Sequence, residues 1–319
     1  MRVYRSADSF LRLPFAVVTS GTFDGVHAGH RRILDRVTEI ARREGGESVV
    51  LTFWPHPRLV LKPEKQDLRL LNTFEEKVRL LEEAGIDHLL CIPFTQEFAS
   101  VSSDTFIRDI LVECIGTKRL VIGYDHRFGR NREGSFSELL TNGPAYGFTV
   151  EEIPRHDIEE AVVSSTAIRK FLEQGDMIKA NQLLGRPYGF SGKVVHGEAL
   201  GRKLGFPTAN LDIAAAEPDA YAGLKLIPAD GIYAVTAMVD GNLQAGMLYI
   251  GSRPTLGGTT QSIELNLFDF DGDLYGKTIA VNLFEKTRGD IRFQSLDQLQ
   301  VQLAEDRRAT QESLRRLVS

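Results

Sequence analysis

The chain of 319 residues has few of the features that mark secreted, membrane-bound or fibrous proteins. Its two cysteines, Cys91 and Cys114, sit in apolar runs (LLCIPF and ILVECIG) and read as reduced core thiols, which excludes a disulfide framework. No apolar run approaches the ~18–20 residues of a membrane-spanning helix. The opening MRVYRSADSFLRLPF has no sustained apolar segment and no small-residue cleavage site, so no signal peptide is expected and the cytoplasm is the expected compartment. Internal repeats and low-complexity tracts are missing. Lys and Arg number 38 against 43 Asp and Glu, a net charge of −5 that offers nucleic acid or an anionic membrane no general attraction. Small molecules are therefore the expected partners. The fingerprints G-x-G-x-x-G and G-x-x-x-x-G-K-[ST] are also absent, so any nucleotide must be held another way.

What is present is two patterns in succession, and the length suggests about two domains. In the first half, β-rich runs (FAVVT 15–19, SVVLTF 48–53, HLLCIPF 88–94, RLVIG 119–123, FTVEEI 148–153) alternate with helical signals. Ile33, Leu34, Val37, Ile40 and Ala41 recur at helical spacing, Thr73 with Glu76 forms a capping-box signal, and Ser103 and Asp104 open a further helix. Such alternation implies βαβ units and a parallel sheet, whose ligands bind at the carboxyl ends of the strands. STAIRKFLEQGDMIKANQLLG reads as helical, stopping at Gly185 with Pro187 beyond. From there short β runs are punctuated by Gly, Pro, Asn and Asp, with a hairpin signal at Asp240-Gly241, and LDQLQVQLAEDRRATQESLRRL closes the chain as a helix. The expected fold class is α/β plus all-β, a nucleotide-binding parallel sheet over 1–185 and a small antiparallel barrel with a terminal helix over 186–319.

GTFDGVHAGH stands where the first strand ends and the first long helix begins. A helix start offers unpaired N–H groups and a partial positive charge, which favour phosphate. His27 and His30 on that turn can donate to phosphoryl oxygens and stabilise developing charge. A capped helix start with two solvent-facing histidines and a His-x-x-His metal pair are the alternatives, the latter without a well-spaced third ligand nearby. Far downstream, Ser164 to Arg169 (SSTAIR) repeats the device: hydroxyls at a helix start with a forked arginine.

GTFDGVHAGH resembles the HxGH signature of the nucleotidyltransferase superfamily, and SSTAIR its second signature. TFWPHP (52–57) and IGYDHRFGRNREG (122–134) are similar to segments of the bacterial bifunctional riboflavin kinase/FMN adenylyltransferases, or FAD synthetases. The resemblance implies a Rossmann-like sheet in which Gly21, Phe23 and Gly29 line the ATP site with His27 and His30. It also implies that Ser164, Thr166 and Arg169 hold pyrophosphate, and that Asp125 and Phe128 lie near the flavin; His56, held between two prolines, reads equally as a flavin contact or as a structural hydrogen-bonding group. His126 stands where an aromatic Phe is expected.

The second half carries the same resemblance. GFSGKVVHGEALGRKLGFPTANL (189–211) is similar to the nucleotide segment of riboflavin kinases. Gly197, Gly201 and Gly205 free its main chain to wrap phosphates, Arg202 adds a cation, and Thr208 and Asn210 offer hard oxygens suited to Mg²⁺. Glu264 alternates with Ile263 and Leu265 and so points to the opposite strand face. A carboxylate on the inside of a small barrel is costly unless paired or functional. The resemblance makes it the base that activates the ribityl hydroxyl of riboflavin. EKTRGDIRF (285–293) resembles the family segment in which Arg288 and Phe293 approach the flavin, while Arg253 and Asn266 depart from the commoner Asn and His. The implied chemistry is riboflavin to FMN, then FMN to FAD, each with ATP and Mg²⁺. A cytidylyltransferase and an inactive flavin-binding regulator are the rival readings.

Overall fold

A computed structural model describes residues 1–62, 68–123, 136–153, 163–197, 200–255 and 258–318, with 136–138, 200, 203, 252–260 and 318 described by their backbone alone. The chain divides into two compact units, Met1–Ser165 and Thr166–Ser319.

In the first unit six strands, β1 (Arg2–Tyr4), β2 (Ala16–Ser20), β3 (Glu47–Trp54), β4 (His88–Pro93), β5 (Thr117–Gly123) and β6 (Thr149–Ile153), form one parallel sheet in the order β1-β4-β3-β2-β5-β6. All five residues of β2 are buried, as the continuous apolar run FAVVT requires of a strand covered on both faces. Alternation splits the core: Val18, Leu51, Leu90 and Ile122 pack to one side, and Val17, Val50, Leu89 and Val121 to the other. The stripe Leu34, Val37, Ile40 and Ala41 of helix α1 (Ala28–Glu44) buries against the second side. Strand order reverses at β2, with β3 on one side and β5 on the other, so the crevice beyond their carboxyl ends is the topological switch point. The chain leaves β2 there into GTFDGVHAGH.

Helix α2 (Pro57–Leu61) follows β3, and α3 (Phe74–Glu83) opens on the full capping box: the Thr73 hydroxyl accepts from the Glu76 amide, and the Glu76 carboxylate accepts from the Thr73 amide. The helix expected from Ser103 is capped one residue earlier, by the Ser102 hydroxyl, because that side chain reaches the Thr105 amide at 3.2 Å. Its body, Phe106–Ile115, winds as a π-helix.

The run expected as one helix up to Gly185 is two, α4 (Ser165–Gln174) and α5 (Met177–Leu184). Gly175 takes φ 76°, a left-handed conformation that ends the first, and the Asp176 carboxylate accepts from the Lys179 amide at 3.2 Å to start the second. Beyond them β7 (Tyr188–Val195), β8 (Ala209–Asp212), β9 (Gly231–Val239), β10 (Asn242–Thr255), β11 (Gly258–Leu267) and β12 (Thr278–Arg288) close an antiparallel barrel in the order β10-β11-β8-β7-β12-β9. Val239 pairs with Asn242, so Asp240 and Gly241 (φ 49° and 81°) form the expected two-residue hairpin turn. Phe190, Leu211, Tyr233, Val235, Leu248, Leu265 and Leu283 fill the barrel. Helix α6 (Leu296–Val318) packs Leu303 and Leu314 against Ile232, Ala234 and Met247 on the outer wall.

Candidate active sites

The first centre is the turn between β2 and α1. Asp24 is buried and accepts the Leu71 amide at 3.0 Å, its own carbonyl accepts the Ser165 hydroxyl at 2.9 Å, and the buried Asn72 carboxamide oxygen accepts the Gly25 amide. These bonds hold a backbone in which Phe23 and Val26 take φ 46° and 39°. Left-handed conformations at non-glycine residues cost about 1–3 kcal/mol each and cluster where surrounding structure over-determines them. The turn delivers His27 as the cap of α1: its Nδ1 accepts from the His30 amide at 3.3 Å. The two rings stack with centroids 3.6 Å apart and an interplanar angle of 13°, and Phe23 lies 5.1 Å from His30. His27 is 6% exposed and His30 half-buried, so they are not the two solvent-facing histidines of the capped-start alternative.

Among the described residues no group of three or more His, Cys, Asp or Glu side chains is placed to hold a metal. The Ser165 bond to Asp24 joins the start of SSTAIR to the turn. Ser164 is half-buried beside it, and exposed Thr166 and half-buried Arg169 follow on α4. His56 caps α2, its Nδ1 accepting the Arg58 amide at 3.1 Å, so the structural half of its expected roles is present. Asp125, His126 and Phe128 lie outside the described residues; they follow β5 in the chain. Asp24, Asn72 and Lys77, which converge on the turn, were not legible as site residues: each reads in sequence as part of an ordinary loop or helix start.

The second centre lies on the barrel. Glu264 is directly opposite Tyr249 and Asn210 in the register, and opposite residues share a face. Tyr249 packs with the cluster that includes Leu303 and Leu314 of α6, so this is the outer wall. Glu264 is thus not on the barrel's inside, which Ile263 and Leu265 occupy together with Leu248 and Ile250. The correction follows from the alternation itself: the apolar pair takes the dry interior, and the carboxylate avoids that desolvation. Its Oε1 accepts from the Ser262 hydroxyl at 3.0 Å and its Oε2 from the Thr208 hydroxyl at 3.2 Å.

Two glycines let the main chain close on this patch. A Cβ at Gly197 would stand 2.1 Å from the Asn210 side-chain nitrogen Nδ2, and one at Gly201 would meet the Phe206 carbonyl at 2.3 Å and the Thr208 hydroxyl at 3.3 Å. Gly201 lies in a helical turn (Leu200–Lys203) on which Arg202 is exposed, and Gly205 follows it at φ 82°. Asn266, where His is commoner, is buried and donates to the Pro207 carbonyl at 2.7 Å, fixing the corner that leads to Thr208. Of Arg253 only the backbone is described. The hydroxyl, amide and carboxylate oxygens of Thr208, Asn210 and Glu264 are a hard donor set of the kind Mg²⁺ takes alongside waters and nucleotide phosphates. Arg288 spends its fork on the Asp306 carboxylate of α6, at 2.7 and 2.6 Å, with Nη1 on the Gly289 carbonyl at 2.8 Å; Phe293 is half-buried.

A parallel sheet with a phosphate-suited helix start at its switch point, followed by a barrel with a hard-oxygen patch, defines a two-module nucleotide-dependent transferase. The FAD synthetase family model matches residues 12–167, and the riboflavin kinase family model residues 184–314. The bifunctional riboflavin kinase/FMN adenylyltransferase of Escherichia coli K12 is 40% identical over 291 residues, 91% of this chain and 90% of that one. The Bacillus subtilis enzyme of the same name is 34% identical over 305 residues, 94% of this chain and 92% of that one. A crystal structure described as a macrolide-efflux protein from Streptococcus pneumoniae aligns over 97% of this chain and 98% of its own at 31% identity, with a TM-score of 0.85. No helix among the described residues is long and apolar enough to cross a membrane. The chain belongs to the bifunctional riboflavin kinase/FMN adenylyltransferase family, and it is a transferase with both of those activities.

Proposed function

We propose that the two activities occupy two separate centres, the adenylyltransferase within residues 1–185 and the kinase within 186–319. The observation that carries this is the separate construction of the centres: the His27–His30 turn is braced by Asp24, Asn72 and Ser165 of its own unit, and Glu264 by Thr208 and Ser262 of the other. In the kinase step Glu264 accepts the proton of the ribityl hydroxyl as that oxygen attacks the γ-phosphorus of ATP, and ADP departs with FMN formed. Thr208 and Asn210 would hold Mg²⁺, which would supply charge neutralisation for the nucleotide phosphates, and Gly197, Arg202 and the main chain around them bind those phosphates. Arg288, its charge shared with Asp306, and Phe293 border the flavin.

In the adenylyl step a phosphate oxygen of FMN attacks the α-phosphorus of ATP, and pyrophosphate leaves as FAD forms. His27 and His30 donate to the phosphoryl oxygens on which charge develops. Gly21, Phe23 and Gly29 border the nucleotide, Ser164, Thr166 and Arg169 retain the pyrophosphate, and flavin binding is assigned to His56 together with Asp125 and Phe128. The enzyme works in the cytoplasm on small molecules, with no nucleic-acid or membrane partner. Incubating the purified chain with riboflavin, ATP and Mg²⁺ and resolving flavins by chromatography tests this: FMN then FAD is expected. FMN alone would refute the adenylyl site, and neither product would refute the enzymatic reading.

A further inference from the structure

Lys77 takes no part in those steps, yet it is only 2% exposed and among the largest fully buried side chains. A buried ammonium is costly unless something is gained from its charge and its donors. Its Nζ donates to the Thr22 carbonyl at 2.8 Å and lies 4.9 Å from the centroid of the Trp54 ring. Burial pushes its pKa below the usual lysine value, and the Asp24 carboxylate opposes that shift. Thr22 heads the strained stretch Phe23–Val26 that ends on His27. The same short segment, Leu71 to Lys77, therefore grips the turn at three successive places: the Thr22 carbonyl, the Asp24 carboxylate and the Gly25 amide. The Thr52 hydroxyl is a second donor to the Thr22 carbonyl, at 3.3 Å.

We propose that Lys77 is a positioning residue for adenylyl transfer: by fixing the Thr22 carbonyl it holds the turn in the one conformation that aims the His27–His30 pair at the reacting phosphates. This rests on the assignment of the His27–His30 turn as the adenylyl site. The test uses the full chain carrying Lys77→Met, which keeps most of the side chain's volume and removes its donor. FMN-to-FAD turnover is measured with riboflavin-to-FMN turnover of the same preparation as the internal control. Trp54 is the chain's one tryptophan, so its fluorescence during urea unfolding gives the folded fraction of the first unit.

The expected result is a fall in kcat per folded molecule of about 10- to 100-fold, the size of effect that small misplacements of reacting groups produce. The half-saturating FMN concentration and the kinase rate stay unchanged. Thr52→Val, which removes the weaker donor, lowers the same kcat to a smaller extent. A folded Lys77→Met enzyme with the parental kcat overturns the proposal. If that variant does not fold, Thr52→Val decides: a fall in kcat with unchanged half-saturation supports it, and the parental kcat overturns it. His27→Ala is run beside them; full FAD formation in that variant would overturn the site assignment itself and this inference with it.

Discussion

His27 is both the cap of α1 and half of a stacked imidazole pair, and substitution separates the two roles. Asn is as good a cap as any residue, so His27→Asn should keep stability to within about 1 kcal/mol. FAD formation should fall by about 100- to 1000-fold, the effect of losing one preorganised donor to developing charge. Urea unfolding followed by Trp54 fluorescence, beside flavin chromatography, reads both; full activity in a stable His27→Asn enzyme would leave His27 a cap only. The spacing of His27 and His30 was legible because helix starts and imidazoles carry their chemistry wherever they occur. Lys77 was not legible. In TFEEKVRLLEEAG it stands among charged residues that suggest a solvated face, and only the tertiary structure turns it under Trp54 and onto Thr22.

Periodicity marked most elements and misled where a local device interrupts it. α4 and α5 share one amphipathic run, and the break comes from Gly175 with the Asp176 cap, two residues that a helix stripe tolerates in sequence. β8 hides in the Pro-Thr-Ala-Asn corner because only four residues pair, and β1 because three residues at a sheet edge give no pattern. The terminal helix was legible as a helix, but its tether was not: Arg288 of β12 and Asp306 of α6 meet in a two-bonded ion pair, with Asp306 3% exposed. Removing one partner of a buried pair leaves the other charge uncompensated. Asp306→Ala should therefore destabilise the second unit by about 3 kcal/mol, the lower end of the range for such pairs since Arg288 keeps some solvent. Denaturant unfolding monitored by circular dichroism measures it, and a change below about 1 kcal/mol, typical of surface ion pairs, would show that the pair does not anchor α6.

At the scale of the molecule, fold class and the order of modules followed from the switch between alternating βα signals and short β runs near residue 185, and the family models match on the two sides of that region. What sequence alone misplaced was the face of Glu264: alternation told which residues share a side, and only the pairing of β11 with β8 and β10 told which side is the interior. With Glu264 on the outer wall, under the Thr208 and Ser262 hydroxyls and near Gly197 and Gly201, the base proposed for the kinase step stands outside the barrel and apart from His27 and His30 in the chain. The most direct test of two independent centres is Glu264→Gln in the full chain, assayed separately with riboflavin and with FMN as the starting flavin. Loss of FMN formation from riboflavin with undiminished conversion of supplied FMN to FAD is the expected outcome. Loss of both conversions in a folded enzyme would contradict it.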